Sequence, residues 1–494
     1  MFATETWSLY VSILLVVYAI VIIFFVVRGI LKTKDMDDFA IGSKGFPAWA
    51  VGLSLAASMT SAATFIINPG FIALYGFAGI ISFGIVMPIA IFSSLIFFTK
   101  AFQNYGSTVR ALTMAQWIGK RYDSKAMTLF FAVLSLLLIT FIVLICVGLT
   151  QIISKSLNLE PFYVLLGLVV FVFGYMMFGG ANSMVYTNSI QAILMFIVAI
   201  MLIFSGADYF KDGFDGFVSI LKTIDPNLTE PTNQQSFLFR DYFEIIFCQI
   251  VIGIAIVCQP HIITKTLFLK SSKSVNQYLF FAIVCMSLFF LVVIVGLYAR
   301  ILFPDLTLDG VPLKMDELVS AYVVKTFTAG AGVLIVAGLI SAGLSTLENL
   351  IQSLSTTIST DLITPLFPAV KKISGLTLNK IVIVGLAIAS FILSYDQIVN
   401  PAVSVAIFAQ NGVYAYFAAA FVPVLFGIYF KKVPKHAVFI ASLSAVALHF
   451  IIYYGRITPY MQEPVNNPGV SAAIAIVTSF VIANVLYLIS KKKV

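Results

Sequence analysis

Of the 494 residues, 61% are hydrophobic and only 10% charged, whereas charged residues make up roughly a quarter of a water-soluble domain. Such a chain lacks the polar surface of a soluble enzyme. Its net charge of +8 comes mainly from lysines grouped between apolar runs, not from a nucleic-acid-binding face.

Apolar segments able to cross about 30 Å of hydrocarbon are predicted at 8–28, 47–76, 78–99, 126–154, 161–178, 183–206, 241–263, 275–303, 331–359, 380–395, 402–430, 437–455 and 469–490, thirteen spans in all. The residues before the first span hold Glu5 and no Lys or Arg, so that span is expected to be retained rather than cleaved as a leader. Placing the loop after it in the cytoplasm puts twenty-one of the 29 Lys and Arg inside, from Arg28 to Lys493 and including Lys265, Lys270 and Lys273. The positive-inside rule then predicts a multi-pass plasma-membrane protein with its N-terminus outside and its C-terminus cytoplasmic. The longest polar insertions, 207–240 and 304–330, are expected outside, with short surface helices near their Asp225-Pro226-Asn227 and Phe303-Pro304-Asp305 turns. No polar stretch is large enough for a second module. One transmembrane domain is expected over 1–494, with a core at 47–430 and peripheral helices at 8–28, 437–455 and 469–490.

Cys146, Cys248, Cys258 and Cys285 fall within spans without redox or metal-ligand spacing and are expected to be apolar fillers. His261, His436 and His449 are scattered and form no metal site.

Two stretches of small polar residues lie deep in the second and ninth spans: Ala57-Ser58-Met59-Thr60-Ser61 and Ala342-Gly343-Leu344-Ser345-Thr346. Free backbone and hydroxyl oxygens are tolerated at bilayer depth where protein or a water-filled cavity surrounds them, which points to a transport pathway. At helical spacing, 57, 60, 61 and 64 share one face, as do 342, 345, 346 and 349. An interruption in the helix would release the carbonyls of Ala57, Thr60 and Ala342, and the hydroxyls of Ser345 and Thr346 would complete a five-oxygen shell suited to Na⁺. The competing explanation is close helix packing through small residues. Breakers occur in two spans, Asn68-Pro69-Gly70 in the second and Gly253 with Gln259-Pro260 in the seventh. Counting five spans from each gives two sets of opposite orientation.

Four segments carry a resemblance: Trp49 to Gly76, Phe178-Gly179-Gly180 to Gln191, Gln259-Pro260-His261-Ile262, and Ser345-Thr346 to Asp361-Leu362. With them the chain resembles the sodium:solute symporter family over nearly its whole length, and most the branch of proline, pantothenate and acetate symporters. The resemblance implies an all-α membrane fold with a leucine-transporter-like core of five plus five inverted helices. It implies a first sodium site on Ala57, Thr60, Ala342, Ser345 and Thr346. Where many members carry an aspartate that serves a second sodium, this chain has Asn188; the matching serine positions are Glu348 and Asn349.

A carboxylate at bilayer depth costs roughly 2.5–3.5 kcal/mol on insertion scales, so Glu348 is expected to have a partner or a task. The open possibilities are a second cation site of Asn188, Ser345, Glu348 and Asn349, a proton carrier, or a neutral Glu348 bonded to Asn188 or Asn349. Candidate solute contacts are Met59, Ser61, Thr64, Gln249, Gln259, Gln410 and Asn411, with Phe65 and Tyr75 as walls or gates. The expected function is sodium-coupled import of a small solute, a monocarboxylate or amino acid, by alternating access. Sugar or sialic-acid symport, proton coupling through Glu348 and a non-transporting sensor are the alternatives. Membrane lipid, Na⁺ and the solute are the expected partners; no nucleic acid, no obligate protein partner and no enzymatic activity are expected, because no nucleophile, acid or metal-ligand constellation is visible.

Overall fold

The computed structural model describes residues 5–42, 45–400, 404–430, 432–462 and 465–491, so Lys44, Lys431, Lys492 and Lys493, which entered the orientation argument, lie outside the described residues. Among the described residues, ten helices are long and apolar enough to cross a membrane, and two bent helix pairs bring the number to as many as twelve. In chain order they are α1 (Glu5–Ile30), the bent pair α2 (Ala48–Met59) and α3 (Ala63–Tyr75), α4 (Phe77–Val109), α5 (Lys125–Leu157) and α6 (Pro161–Phe204). There follow the second bent pair α7 (Phe243–Cys258) and α8 (Pro260–Phe268), α9 (Ser272–Leu302), α10 (Ala329–Leu366), α11 (Gly375–Val399), α12 (Val405–Tyr429), α13 (Lys435–Gly455) and α14 (Pro468–Lys491). The spans expected at 161–178 and 183–206 fall in the stretch Pro161–Phe204 as two helices that meet at a kink with no loop between them. Their junction is marked by Gly180, at φ +59° and ψ −167°, conformations that residues with a Cβ rarely adopt. A Cβ there would stand 2.8 Å from the Phe39 ring and 3.0 Å from its carbonyl oxygen.

Burial sorts the helices into core and rim. In their most apolar stretches, α10 and α12 are 78% buried within the protein, against 17% for α1, whose Ile13, Val16, Ile20 and Phe24 face outward. α10 packs against α2, α5 and α6, so its small residues meet the first broken helix in the middle of the molecule. α13 and α14 pack on each other and on α12. The long polar segments contain the expected short helices, Gly213–Ile224 and Leu318–Thr326, and two small hairpins pair Thr307–Leu308 with Val311–Pro312 and Met461–Gln462 with Val465–Asn466. All four cysteines are buried and free.

Both breaks have a local cause. α2 and α3 meet at 53°, and α7 and α8 at 62°. In the second pair Gln259 is extended (φ −76°, ψ 140°), and Pro260 opens α8 where its missing N–H leaves no helical bond unmade. The first pair breaks at Thr60–Ala62 and not at Asn68-Pro69-Gly70, which lies within α3. A π turn over Ala63–Ile67, in which the Asn68 N–H reaches back to the Ala63 carbonyl, carries the chain past Pro69 without a break.

Candidate functional site

The break after Met59 leaves the carbonyls of Ala57 and Ser58 without the next helical turn. Side chains of α10 take its place: Ser345 Oγ donates to Ala57 O at 2.8 Å and Thr346 Oγ1 to Ser58 O at 3.1 Å. The same hydroxyls lie 3.1 and 3.3 Å from Ala342 O. Ala57, Ala342, Ser345 and Thr346 are therefore brought to one point, fully buried. Thr60 is buried beside them, with its hydroxyl turned onto its own helix, 2.5 Å from Ala56 O. This donor set consists of neutral, hard oxygens, and no group of three or more His, Cys, Asp or Glu side chains able to hold a metal occurs among the described residues. That chemistry fits an alkali cation and not a transition metal.

A cavity of about 100 Å³ adjoins this point, lined by residues of α2, α3, α4, α5, α7, α8, α9 and α12. Met59, Ser61, Thr64, Gln259 and Gln410 line it as expected from the sequence. Gln249 and Asn411 do not. Asn411 is committed to Tyr454 and to His449, whose other ring nitrogen meets Ser471. Phe65 packs on Phe289 and Tyr75 on Phe237 and Phe239, so neither forms the wall; Phe83, Phe141, Phe290 and Tyr414 do. The lining contains no Lys, Arg, Asp or Glu.

Sequence reasoning missed His261. It lines the cavity, and both its ring nitrogens, like Gln259 Oε1, are buried and have no hydrogen-bond partner. These three polar atoms on one wall have bonding capacity that the protein itself does not use. The signal available in the sequence was their spacing around Pro260, which puts both side chains at the mouth of a new helix.

The residues proposed for a second cation separate into two groups. Glu348 is buried, and its carboxylate accepts from Tyr175 (2.6 Å), Thr187 (2.9 Å) and Gln191 (3.2 Å), all on α6. Asn188 instead donates to Ser54 Oγ at 3.1 Å, and Asn349 to the Ser345 carbonyl. Lys265, counted above among the cytoplasmic loop lysines, is 1% exposed inside the protein and donates to Ser54 O at 3.0 Å and to Ser54 Oγ.

A model of the sodium:solute symporter family matches residues 39–444. The chain belongs to that family. Among curated relatives, it is 24% identical to the sodium/pantothenate symporter of Haemophilus influenzae over 66% of each chain, and 28% identical to that of Escherichia coli over 59% of this chain and 61% of the other. It is 29% identical to the sodium/glucose cotransporter of Vibrio parahaemolyticus over 55% of this chain and 51% of the other. These matches span two thirds or less of each relative. The fold is similar along nearly the whole chain to that of a Na⁺-coupled sialic acid symporter solved substrate-bound and outward-open, with a TM-score of 0.76, 16% identity and coverage of 96% of this chain and 98% of the other. A nucleobase-cation-symport-1 family transporter with bromovinylhydantoin bound is similar at a TM-score of 0.51, 13% identity and coverage of 92% and 95%.

A second cavity of about 300 Å³ is bounded by Gln151 of α5, Gln397 of α11 and the Lys314–Glu317 turn, which lies outside the spans. Burial pushes Asp316 in that turn up to about 6, beyond what the neighbouring Ser404 hydroxyl, Lys314 and Lys155 offset. A carboxyl whose value is raised by folding stabilises the fold while protonated, and that contribution is lost as pH rises through the folded value. The melting temperature in detergent is thus expected to fall from about pH 4 to about pH 6 and then level off, and Asp316→Asn should flatten that limb. An unchanged limb in the variant would assign it to another group.

Proposed function

We propose that this chain is a sodium-coupled symporter that imports a small monocarboxylate by alternating access. The observation that carries it is the meeting of Ala57 O, Ala342 O, Ser345 Oγ and Thr346 Oγ1 at the break between α2 and α3, beside an uncharged cavity. Na⁺ is the coupling ion, held by Ala57, Thr60, Ala342, Ser345 and Thr346. Each hydroxyl now spent on a carbonyl can rotate its hydrogen away and offer a lone pair to the ion instead. Binding so placed fixes the end of α2 against α10, and with it the wall of the solute cavity. Inward movement of one Na⁺ yields about 2.3 kcal/mol per 100 mV of membrane potential, besides its concentration gradient.

The solute class follows from the lining. With no fixed cation available, a carboxylate would be met by His261, by the amides of Gln259, Asn68 and Gln410, by hydroxyls and by the nearby sodium. Pantothenate and sialic acid, the solutes named for two of the relatives, each carry one carboxylate. An uncharged, hydroxyl-rich lining also suits a sugar, the solute of the Vibrio relative. Reading α6 as two crossings that turn at Gly180 gives thirteen spans, since its 44 residues extend about 66 Å, twice the hydrocarbon thickness. The N-terminus is then outside and the C-terminus cytoplasmic.

Counterflow in proteoliposomes loaded with Na⁺, using labelled monocarboxylates, amino acids and sugars, tests the assignment. Exchange of a monocarboxylate that requires Na⁺ and is lost in His261→Ala is the expected result. Exchange confined to sugars would replace the carboxylate reading, and exchange indifferent to Na⁺ would end the symport reading.

A further inference from the structure

Apart from the solute cavity, the outer surface of the protein holds a furrow of about 310 Å³ between the first half of α6 and α11. Its walls include Leu166, Val170 and Gly174 of α6 and Val384, Ile388 and Phe391 of α11, and no polar side chain lines it. Leu166, Val170, Val384 and Ile388 are exposed, so in a bilayer the furrow opens onto lipid. It stays open because the side chain that would fill it is missing: a Cβ at Gly174 would have no neighbour within 4 Å. The two helices run antiparallel here. Phe162 packs on Phe391 and Tyr395 at one end, and Lys380 lies against Phe178 at the other.

The length of the furrow and the chemistry at its end say what fits it. At 1.5 Å per residue, the α6 wall from Leu166 to Met177 covers about 17 Å, slightly more than half of the roughly 30 Å of hydrocarbon in a bilayer. That is the depth of one leaflet and the reach of one acyl chain. At the end where such a chain carries its headgroup, Lys380 is half-buried, with its ammonium 4.5 Å from the centre of the Phe178 ring. Among the described residues Lys380 forms no ion pair. Lys371 and Lys372 are exposed on the turn before α11, and neither α6 nor the stretch from Pro368 to Tyr395 contains an Asp or Glu. A lysine that served orientation alone would extend its ammonium into water; this one lies on an aromatic face beside an apolar furrow, and the protein supplies it with no anion.

We propose that this furrow binds one anionic phospholipid, with an acyl chain between α6 and α11 and the phosphate on Lys380, and with Lys371 and Lys372 adding positive charge at the same end. The bound chain braces α11 against α6, which already pack on each other. The proposal uses neither the sodium site nor the identity of the solute, so it fails or holds separately from the symport reading. A second copy of the protein is the other occupant that an apolar face admits, and the experiment separates the two.

The test uses the purified full-length chain, stripped of native lipid in mild detergent, with dioleoyl phosphatidylglycerol, dioleoyl phosphatidylcholine and soluble glycerol phosphate as probes. Phosphatidylglycerol is expected to raise the melting temperature of the wild type more than phosphatidylcholine does, and glycerol phosphate should leave it unchanged. Lys380→Gln should lose the preference for phosphatidylglycerol, whereas Lys380→Arg should keep it. Gly174→Leu, which fills the furrow where the backbone has room, should lose the stabilisation by phosphatidylglycerol with Lys380 still in place. Equal effects of the two lipids on the wild type, a preference unchanged in Lys380→Gln, or stabilisation unchanged in Gly174→Leu would each overturn the proposal. A rise with glycerol phosphate equal to that with the lipid would overturn it as well, because the furrow would then have no part in binding. So would a wild-type dimer that Gly174→Leu turns into a monomer, which would assign the furrow to a second copy. If Gly174→Leu cannot be purified, the two Lys380 variants, made at a partly exposed position, decide.

Discussion

Replacing Ser345 with alanine is expected to raise the Na⁺ concentration for half-saturation in ²²Na⁺ binding by roughly tenfold to a hundredfold. The hydroxyl is one of the oxygens gathered at the break in α2, 2.8 Å from Ala57 O and 3.1 Å from Ala342 O, and α10 presents it from a fully buried position. A polar contact to a charged group contributes about 1.5–3 kcal/mol, and each 1.4 kcal/mol is a factor of ten in affinity. Thr346→Val, which keeps the branched shape and removes only the oxygen, should act in the same direction. The pair together is expected to bring binding below detection at 100-fold the wild-type half-saturation concentration. Loss of these hydroxyls also leaves two carbonyls at the end of α2 without donors, so some loss of stability accompanies the change. The two effects are separable, because a purely structural role lowers the melting temperature in choline and in Na⁺ equally, whereas a ligand role shrinks the difference between them. Half-saturation unchanged within threefold in both single variants would remove the site from Ser345 and Thr346.

The parts of this arrangement legible in the sequence are those in which a residue type forces the backbone. Pro260 following an extended-prone Gln259 announced the second break, and small hydroxyl residues in mid-span announced where α10 meets α2. The breakers of the second span, Asn68-Pro69-Gly70, do not part it, because a π turn supplies the local slack; the chain parts at Thr60–Ala62, beside the carbonyls expected to be released. Only the tertiary contact explains that position: the hydroxyls of α10 satisfy the carbonyls that the break exposes. Gly180 joins the helices of the spans expected at 161–178 and 183–206 without a loop, because its positive φ turns the chain at that one residue. Lys265 was misplaced for a related reason. A lysine a few residues beyond a proline at the end of an apolar run has the local signature of a topology residue, and its burial depends on the contact of α8 with Ser54 of α2, which is far away in the sequence. Gln249 and Asn411 show the converse, since polarity at mid-span was correct for both while the partner of Asn411 was a histidine 38 residues away and not a solute.

Glu348→Leu is expected to have the largest effect on folding, a loss of about 3 kcal/mol or more, read as a fall in melting temperature and in monodisperse yield in mild detergent. The substitution is nearly neutral in volume, so the loss does not come from packing. It removes the acceptor of Tyr175, Thr187 and Gln191, three donors that are buried inside the protein. Each orphaned donor costs about 1–3 kcal/mol, and because the three share one acceptor their costs do not sum. Glu348→Gln should fall in between, because its carbonyl still accepts from Tyr175 or Thr187 while the charge is lost. The discriminating comparison adds Lys265→Met to each variant. If the carboxylate matters chiefly through charge, the second change restores much of what Glu348→Leu lost; if it matters chiefly as an acceptor for α6, the double variant is no better than the single.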